Sequence, residues 1–285
     1  MREDTAPFTS RSPGEPAPLK LAVAGLGAIG LAVARRVDAG DLPGIHLSAV
    51  AARDHAKAGR AMADFRSPPP LAPLAGLAEA ADIILECLPA REFLSVAEPA
   101  IARGRLLMPL SVGALLDHWH LVERARATGA RILVPTGALL GLDAVRAAAE
   151  DTITEVRMIT RKPPAGLKGA PLLQERNISL DGLKAPLQVF QGSAREAIAG
   201  FPANVNVAVA LSLAGIGPDR TRVEIWADPG VTHNTHRIVV TSNSSDFSMS
   251  IENIPSVENP RTGRITALSA LAALRRLTAV LVVGT

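Results

Sequence analysis

The stretch Ala227-Asp228-Pro229-Gly230-Val231-Thr232-His233-Asn234-Thr235-His236 gathers several side chains able to move a proton into ten residues. It leaves one strand-like run, turns at Pro229-Gly230, and presents two histidines and an asparagine just before the next run. An imidazole held on a loop between two strands is well placed for general acid/base work, because its ordinary pKa lies near neutrality. The same residues also suit a polar turn with surface histidines, and spacing alone leaves both readings open. As metal ligands, His233 and His236 lack an evident third partner. His46 falls inside a strand-like run and His55 at a helix start, so both read as structural. His118 and His120 flank Trp119 and, two apart on one helix, would not share a face. No metal site is expected.

A second chemical element lies near the start of the chain. Gly25-Leu26-Gly27-Ala28-Ile29-Gly30 is a G-x-G-x-x-G turn that follows the apolar run Leu21–Ala24 and opens a helix-like stretch. In that context Gly25 permits the tight turn, Gly27 admits a pyrophosphate against the backbone, and Gly30 lets helix and strand pack closely. The helix N-terminus offers N–H groups to the phosphates. Gly25, Gly27, Ala28, Ile29 and Gly30 are therefore expected to bind NAD or NADP. After the second strand come Arg53 and Asp54. Arg53 could pair with a 2′-phosphate, while Asp54 could reach a ribose hydroxyl or cap the next helix, which leaves the choice of cofactor open.

Two asparagines open a later helix, with Asn204 suited to the N-cap and Asn206 to the first turn, where its amide can meet a ligand. Thr136-Gly137-Ala138 follows the last strand of the first alternating series, and small residues there leave room for a nicotinamide ring. Ser111-Val112-Gly113-Ala114 could line the same cleft, or these segments could be plain connecting turns.

The elements that must position these residues follow from periodicity. Strands are expected at 21–24, 45–52, 82–88, 105–110 and 131–134, alternating with helices, one of them from Leu115 to Ala127. This is the pattern of a doubly wound parallel sheet of the Rossmann type. From Thr152 the pattern changes to half-buried strands at 152–160, 222–227, 236–241 and 247–252. Helices at 193–199 and 205–214 lie among them, giving a mixed α/β second domain with mainly antiparallel strands. A helix from about Ile265 to Leu277 closes the chain. The divisions expected are a disordered leader at 1–18, a cofactor-binding domain at 19–137 and a substrate domain at 138–263. The helix at 264–278 would return to the cofactor-binding domain.

Composition narrows the class. Apolar residues make up 48% and charged residues 20% of the chain, a globular balance. The net charge is only +3 and the basic residues are scattered, so nucleic acid is not an expected partner. Cys87 is the sole cysteine, which rules out an internal disulfide. No secretory leader or membrane span is evident, and a cytoplasmic enzyme is expected.

Taken together, the motifs resemble those of the L-aspartate dehydrogenase family. They are GLGAIG at 25–30, LSVGALLD at 110–117, GALLGLDAV at 137–145, TRKPP at 160–164, FPANVNVAVALSLAGIG at 201–217, ADPGVTHNTH at 227–236 and NPRTG at 259–263. The resemblance implies a Rossmann domain followed by a domain like that of dihydrodipicolinate reductase. It also implies NAD(P)-dependent oxidative deamination of L-aspartate to iminoaspartate, then oxaloacetate and ammonia. The imine could feed NAD biosynthesis, and homodimers are common in the family. His236 matches the catalytic histidine, while Ala138 and Asn206 match positions that contact the nicotinamide. The polar stretch Ser242–Asp246 stands where the family often has glycine. Arg161, Lys162 and Lys168 are available to receive a dicarboxylate, and the sequence does not choose among them. A related reductase acting on another amino acid or imine, or a non-catalytic NAD(P) sensor, would share the fold.

Overall fold

Parallel strands buried on both faces need nearly continuous apolar sequence, and four of the first five strands largely supply it, the two-residue fifth being only partly buried. They are Leu19–Ala24 (β1), Ile45–Ala51 (β2), Ile83–Glu86 (β3), Leu106–Pro109 (β4) and Arg131–Ile132 (β5). The computed structural model describes residues 17–202, 205–256, 259 and 262–284, so the expected leader lies almost wholly outside the described residues. β1 to β5 form one sheet in the order β2-β1-β3-β4-β5 with every pair parallel, as the alternating pattern requires. One face packs on the helices Leu94–Ala102, Val112–Asp117 and His120–Thr128, through Val96, Ile101, Leu115 and Leu121. The other face packs on the helix Ala28–Asp38 through Val33 and Val37, and on the last helix, Ile265–Thr278, through Ala270, Leu271 and Leu274.

The helix expected at 115–127 is two helices, broken at His118 and Trp119. The break turns the His118 and His120 rings edge to face, 5.9 Å between centroids, although two residues on one continuous helix would diverge. His118 also stacks on Phe93, at 6.2 Å.

A second sheet contains Ile153–Lys162 (β6), Leu187–Ser193 (β7), Arg222–Ala227 (β8), Thr235–Ser242 (β9) and Asp246–Glu252 (β10), in the order β10-β9-β6-β8-β7. The expected antiparallel pairing needs correction at its centre, where β6 and β8 run parallel. Their connection crosses over through β7 and the helices Ala194–Gly200 and Asn206–Ala214, which cover the face carrying Val156, Met158, Val223, Ile225, Ile238 and Val240. β7 itself escapes an alternation rule. A bulge between Gln188 and Phe190 makes the neighbours Val189 and Phe190 both buried. Among the described residues no helix is long and apolar enough to cross a membrane.

The two sheets meet where the helix Asn206–Ala214 packs on Val112–Asp117, with Val112, Leu116 and Val209 buried together. Two hydrogen bonds close the seam elsewhere. Gly137 N–H donates to Ser269 Oγ at 3.0 Å, and Asn253 Nδ2 donates to the Ala138 carbonyl at 3.0 Å.

Candidate active site

The glycine turn is built by crowding on one side and open space on the other. Gly25 has φ +99°, and a Cβ there would meet the Cys87 carbonyl oxygen at 2.9 Å. A Cβ on Gly30 would overlap the Gly25 carbonyl oxygen, so helix and strand approach as closely as backbone allows. Gly27 is different: nothing lies within 4 Å of where its Cβ would be. It is the N-cap of Ala28–Asp38 and brings no side chain to that end. The first intrahelical bond runs from Leu31 N–H to the Gly27 carbonyl, so the N–H groups of Ala28, Ile29 and Gly30 precede it. Bare N–H groups beside a cradle that a Cβ would fill fit the diphosphate of a dinucleotide.

At the end of β2, Asp54 accepts Lys57 N–H at 2.9 Å and caps the helix His55–Ala61, which assigns it the capping alternative. Arg53 stands beside it, exposed.

From the glycine turn a cleft of about 170 Å³ runs between the two sheets. Ile29, Ala138, Asn206 and His236 all line it, joined by Lys162, Asn234, Asn253 and Thr266. The structure thus draws residues from the first helix, the crossing segment, the helix Asn206–Ala214 and β9 to one place. Asn204 lies outside the described residues, and Val205 occupies the N-cap position without a side-chain bond. His233 does not line the cleft, and its Nδ1 lies 2.8 Å from Thr232 Oγ1.

His236 is held by its own sheet. It sits on β9 opposite Thr160 on β6, and Thr160 Oγ1 lies 3.1 Å from His236 Nδ1. That contact leaves Nε2 for a reactant. The residue is only 3% exposed. Burial first, then the positive charge of Lys162, hold its pKa down to about 3, so the imidazole stands neutral. Lys162 is 5% exposed, and burial pushes its own pKa down to about 8. A neutral imidazole exerts no reciprocal pull, and burial accounts for the lysine shift.

On the opposite wall, Asn206 Oδ1 accepts Gly113 N–H at 3.1 Å. The Gly113 segment is fixed in turn by Glu86, a fully buried carboxyl at the end of β3. Glu86 accepts Ser111 N–H at 3.0 Å and Leu88 N–H at 2.7 Å, and lies 3.0 Å from Ser111 Oγ. Its pKa is raised, because desolvation outweighs these bonds. Asn253, 4% exposed, holds the Ala138 carbonyl through Nδ2, while its Oδ1 has no hydrogen-bond partner among the described residues. Sequence reasoning missed Glu86 and Asn253. The available signal for Glu86 was a carboxylate inside an apolar strand at the carboxyl edge of a parallel sheet.

A neutral imidazole, a buried ammonium and three amides around a cleft that opens on a dinucleotide cradle suit redox chemistry on a small polar anion. The comparisons with known proteins decide the family. Residues 143–277 match the family model described as aspartate dehydrogenase, C-terminal, and residues 25–135 match that of the homoserine dehydrogenase NAD-binding domain. An L-aspartate dehydrogenase of Bradyrhizobium diazoefficiens is 58% identical, covering 94% of each chain. The chain belongs to the aspartate dehydrogenase family. The family also includes L-aspartate dehydrogenase 3 of Bordetella bronchiseptica, 55% identical over 94% of this chain and 98% of that protein. In fold, the crystal structure of aspartate dehydrogenase from Thermotoga maritima is similar, with a TM-score of 0.69, 23% identity and coverage of 93% of this chain and 99% of that one.

Proposed function

We propose that this enzyme catalyses the NAD- or NADP-dependent oxidative deamination of L-aspartate, reversibly, to oxaloacetate and ammonia. The observation that carries the reading is the convergence of Ile29, Ala138, Asn206 and His236 on one cleft in a chain of this family. On this reading residues 19–137 with the final helix bind the cofactor, and residues 138–263 bind the amino acid. When bound, the nicotinamide would supply the acceptor for the hydride that leaves Cα of L-aspartate as its amine becomes the imine. Gly25, Gly27, Ala28, Ile29 and Gly30 hold the diphosphate end, while Ala138 and Asn206 orient the ring, so much of the gain is positional. His236 Nε2 takes a proton from the water that adds to the imine carbon, returns it to the amine nitrogen, and accepts the carbinolamine hydroxyl proton as ammonia leaves and the ketone forms. Thr160 fixes the ring for these transfers. Released before water adds, the iminoaspartate would feed pyridine-nucleotide synthesis.

The test is formation of reduced cofactor across a panel of L-amino acids with each cofactor. L-Aspartate should exceed L-glutamate, L-alanine and L-asparagine in kcat/KM by about 10²-fold or more. A different preferred amino acid, or no turnover of any, sinks the reading. In the same assay Arg53→Ala should raise the KM for NADP by roughly tenfold, the loss of one charge-assisted contact, and leave that for NAD unchanged. Equal effects on both would show that Arg53 does not read the 2′-phosphate.

A further inference from the structure

Residues two apart on a strand share a face, and the register of the second sheet places a row of polar groups across it. Thr160 on β6 pairs with His236 on β9, which pairs with Ile251 on β10. Two residues further toward the same end lie Lys162 after Thr160, Asn234 before His236 and Asn253 after Ile251. Asn253 N–H donates to the Asn234 carbonyl at 2.9 Å, which continues the ladder. Lys162, Asn234 and Asn253 all line the cleft that holds His236.

The three cations made available by the sequence are now separated by position. Arg161 is on the opposite face of β6, where its Nη1 lies 2.9 Å from Asp228 Oδ2 and its guanidinium lies 5.0 Å from the centroid of the Trp226 ring. Lys168 forms an exposed ion pair with Asp181 at 2.7 Å. Lys162 is the one lysine or arginine among the described residues lining the cleft.

We propose that Lys162 binds a carboxylate of the amino-acid substrate and sets the preference of the enzyme for a dicarboxylate. The assignment rests on the dehydrogenase reading of the same cleft. The Lys162 ammonium is 5% exposed, so a carboxylate entering the cleft meets a positive charge where the dielectric screens it least. The same carboxylate offsets the positive charge that, after burial, depresses His236. Occupancy of the cleft therefore makes the imidazole a better proton acceptor at the moment one is needed.

Succinate, a dicarboxylate without an amine, is the probe, because it can bind and cannot react. Its affinity is measured by titration of the full-length enzyme holding reduced cofactor, alongside steady-state kinetics with L-aspartate. In Lys162→Met, succinate affinity should fall and the KM for L-aspartate should rise by about 10²-fold, with cofactor KM and Tm near wild-type values. Lys162→Arg should recover part of both, and Lys162→Gln gives the same reading if the methionine variant does not fold. A folded Lys162→Met or Lys162→Gln protein that keeps wild-type succinate affinity and aspartate KM overturns the assignment. If the wild type oxidises no L-aspartate yet binds succinate in a Lys162-dependent way, the carboxylate site stands while the substrate reading falls.

Discussion

Replacing His236 with alanine is expected to lower kcat by about 10²- to 10⁴-fold, the usual worth of a positioned acid/base group, while cofactor affinity changes little. The separation follows from placement. His236 is anchored to Thr160 within the second sheet, whereas the glycine turn belongs to the first. Unchanged turnover in the alanine variant would remove His236 from the mechanism. The same substitution has a second readout. The imidazole has a folded pKa of about 3 against an ordinary value of 6.5, so the unfolded chain binds the proton more readily. The stability tied to keeping it neutral is intact above about pH 6.5 and drains away as the pH falls toward 3. Wild-type Tm should therefore drop more steeply than that of the alanine variant as acid is added below pH 6.5. Parallel curves would mean that the ring is not held neutral by burial.

Replacing Glu86 with alanine should do damage of a different kind. Two N–H groups lose their carboxylate acceptor, that of Ser111 in a buried bond and that of Leu88 in a half-buried one. At about 1–3 kcal/mol for each stranded donor, a loss near 3 kcal/mol is expected, or a fall in Tm of roughly 6–12 °C. Function should suffer beyond this, because Ser111 begins the turn whose Gly113 N–H grips Asn206. Cofactor KM should rise by about tenfold or more, since small misplacements at a reacting centre are costly. Glu86→Gln keeps the size and one acceptor oxygen but turns an N–H₂ toward an N–H, so it should fall between the alanine variant and wild type. Cofactor kinetics that stay native in both variants would reduce Glu86 to a stabilising role.

Legibility in the sequence was uneven for physical reasons. The first sheet could be read because its central strands are largely apolar on both faces and the turn after β1 admits little besides glycine. Arg222–Ala227 could be read because its alternation is unbroken. Lys162 was named without being singled out, for β6 runs three residues past its last apolar position, Ile159, and puts a lysine on the buried face. A periodicity argument stops where burial ceases to be apolar, and the lysine of the cleft sits there. Asn253 was missed because its partners are backbone groups of Asn234 and Ala138, distant in the chain. His236 could be nominated from residue type and family resemblance, but its neutrality depends on neighbours that only folding assembles.

The last helix carries a consequence for how the protein is made. Leu271 and Leu274 help close the core formed by Leu21, Val23 and Ile83, and Arg275 Nη2 reaches the Asp41 carbonyl at 2.8 Å, 234 residues away in the chain. A ribosome delivers β1 to β5 long before it delivers their final cover. Until then one flank of the nascent cofactor sheet must stay wet or be shielded by a chaperone. Such long-range closure makes for slow folding. On the proposed division of labour, the sheet that would hold the dinucleotide is covered on both faces only after the rest of the chain has emerged.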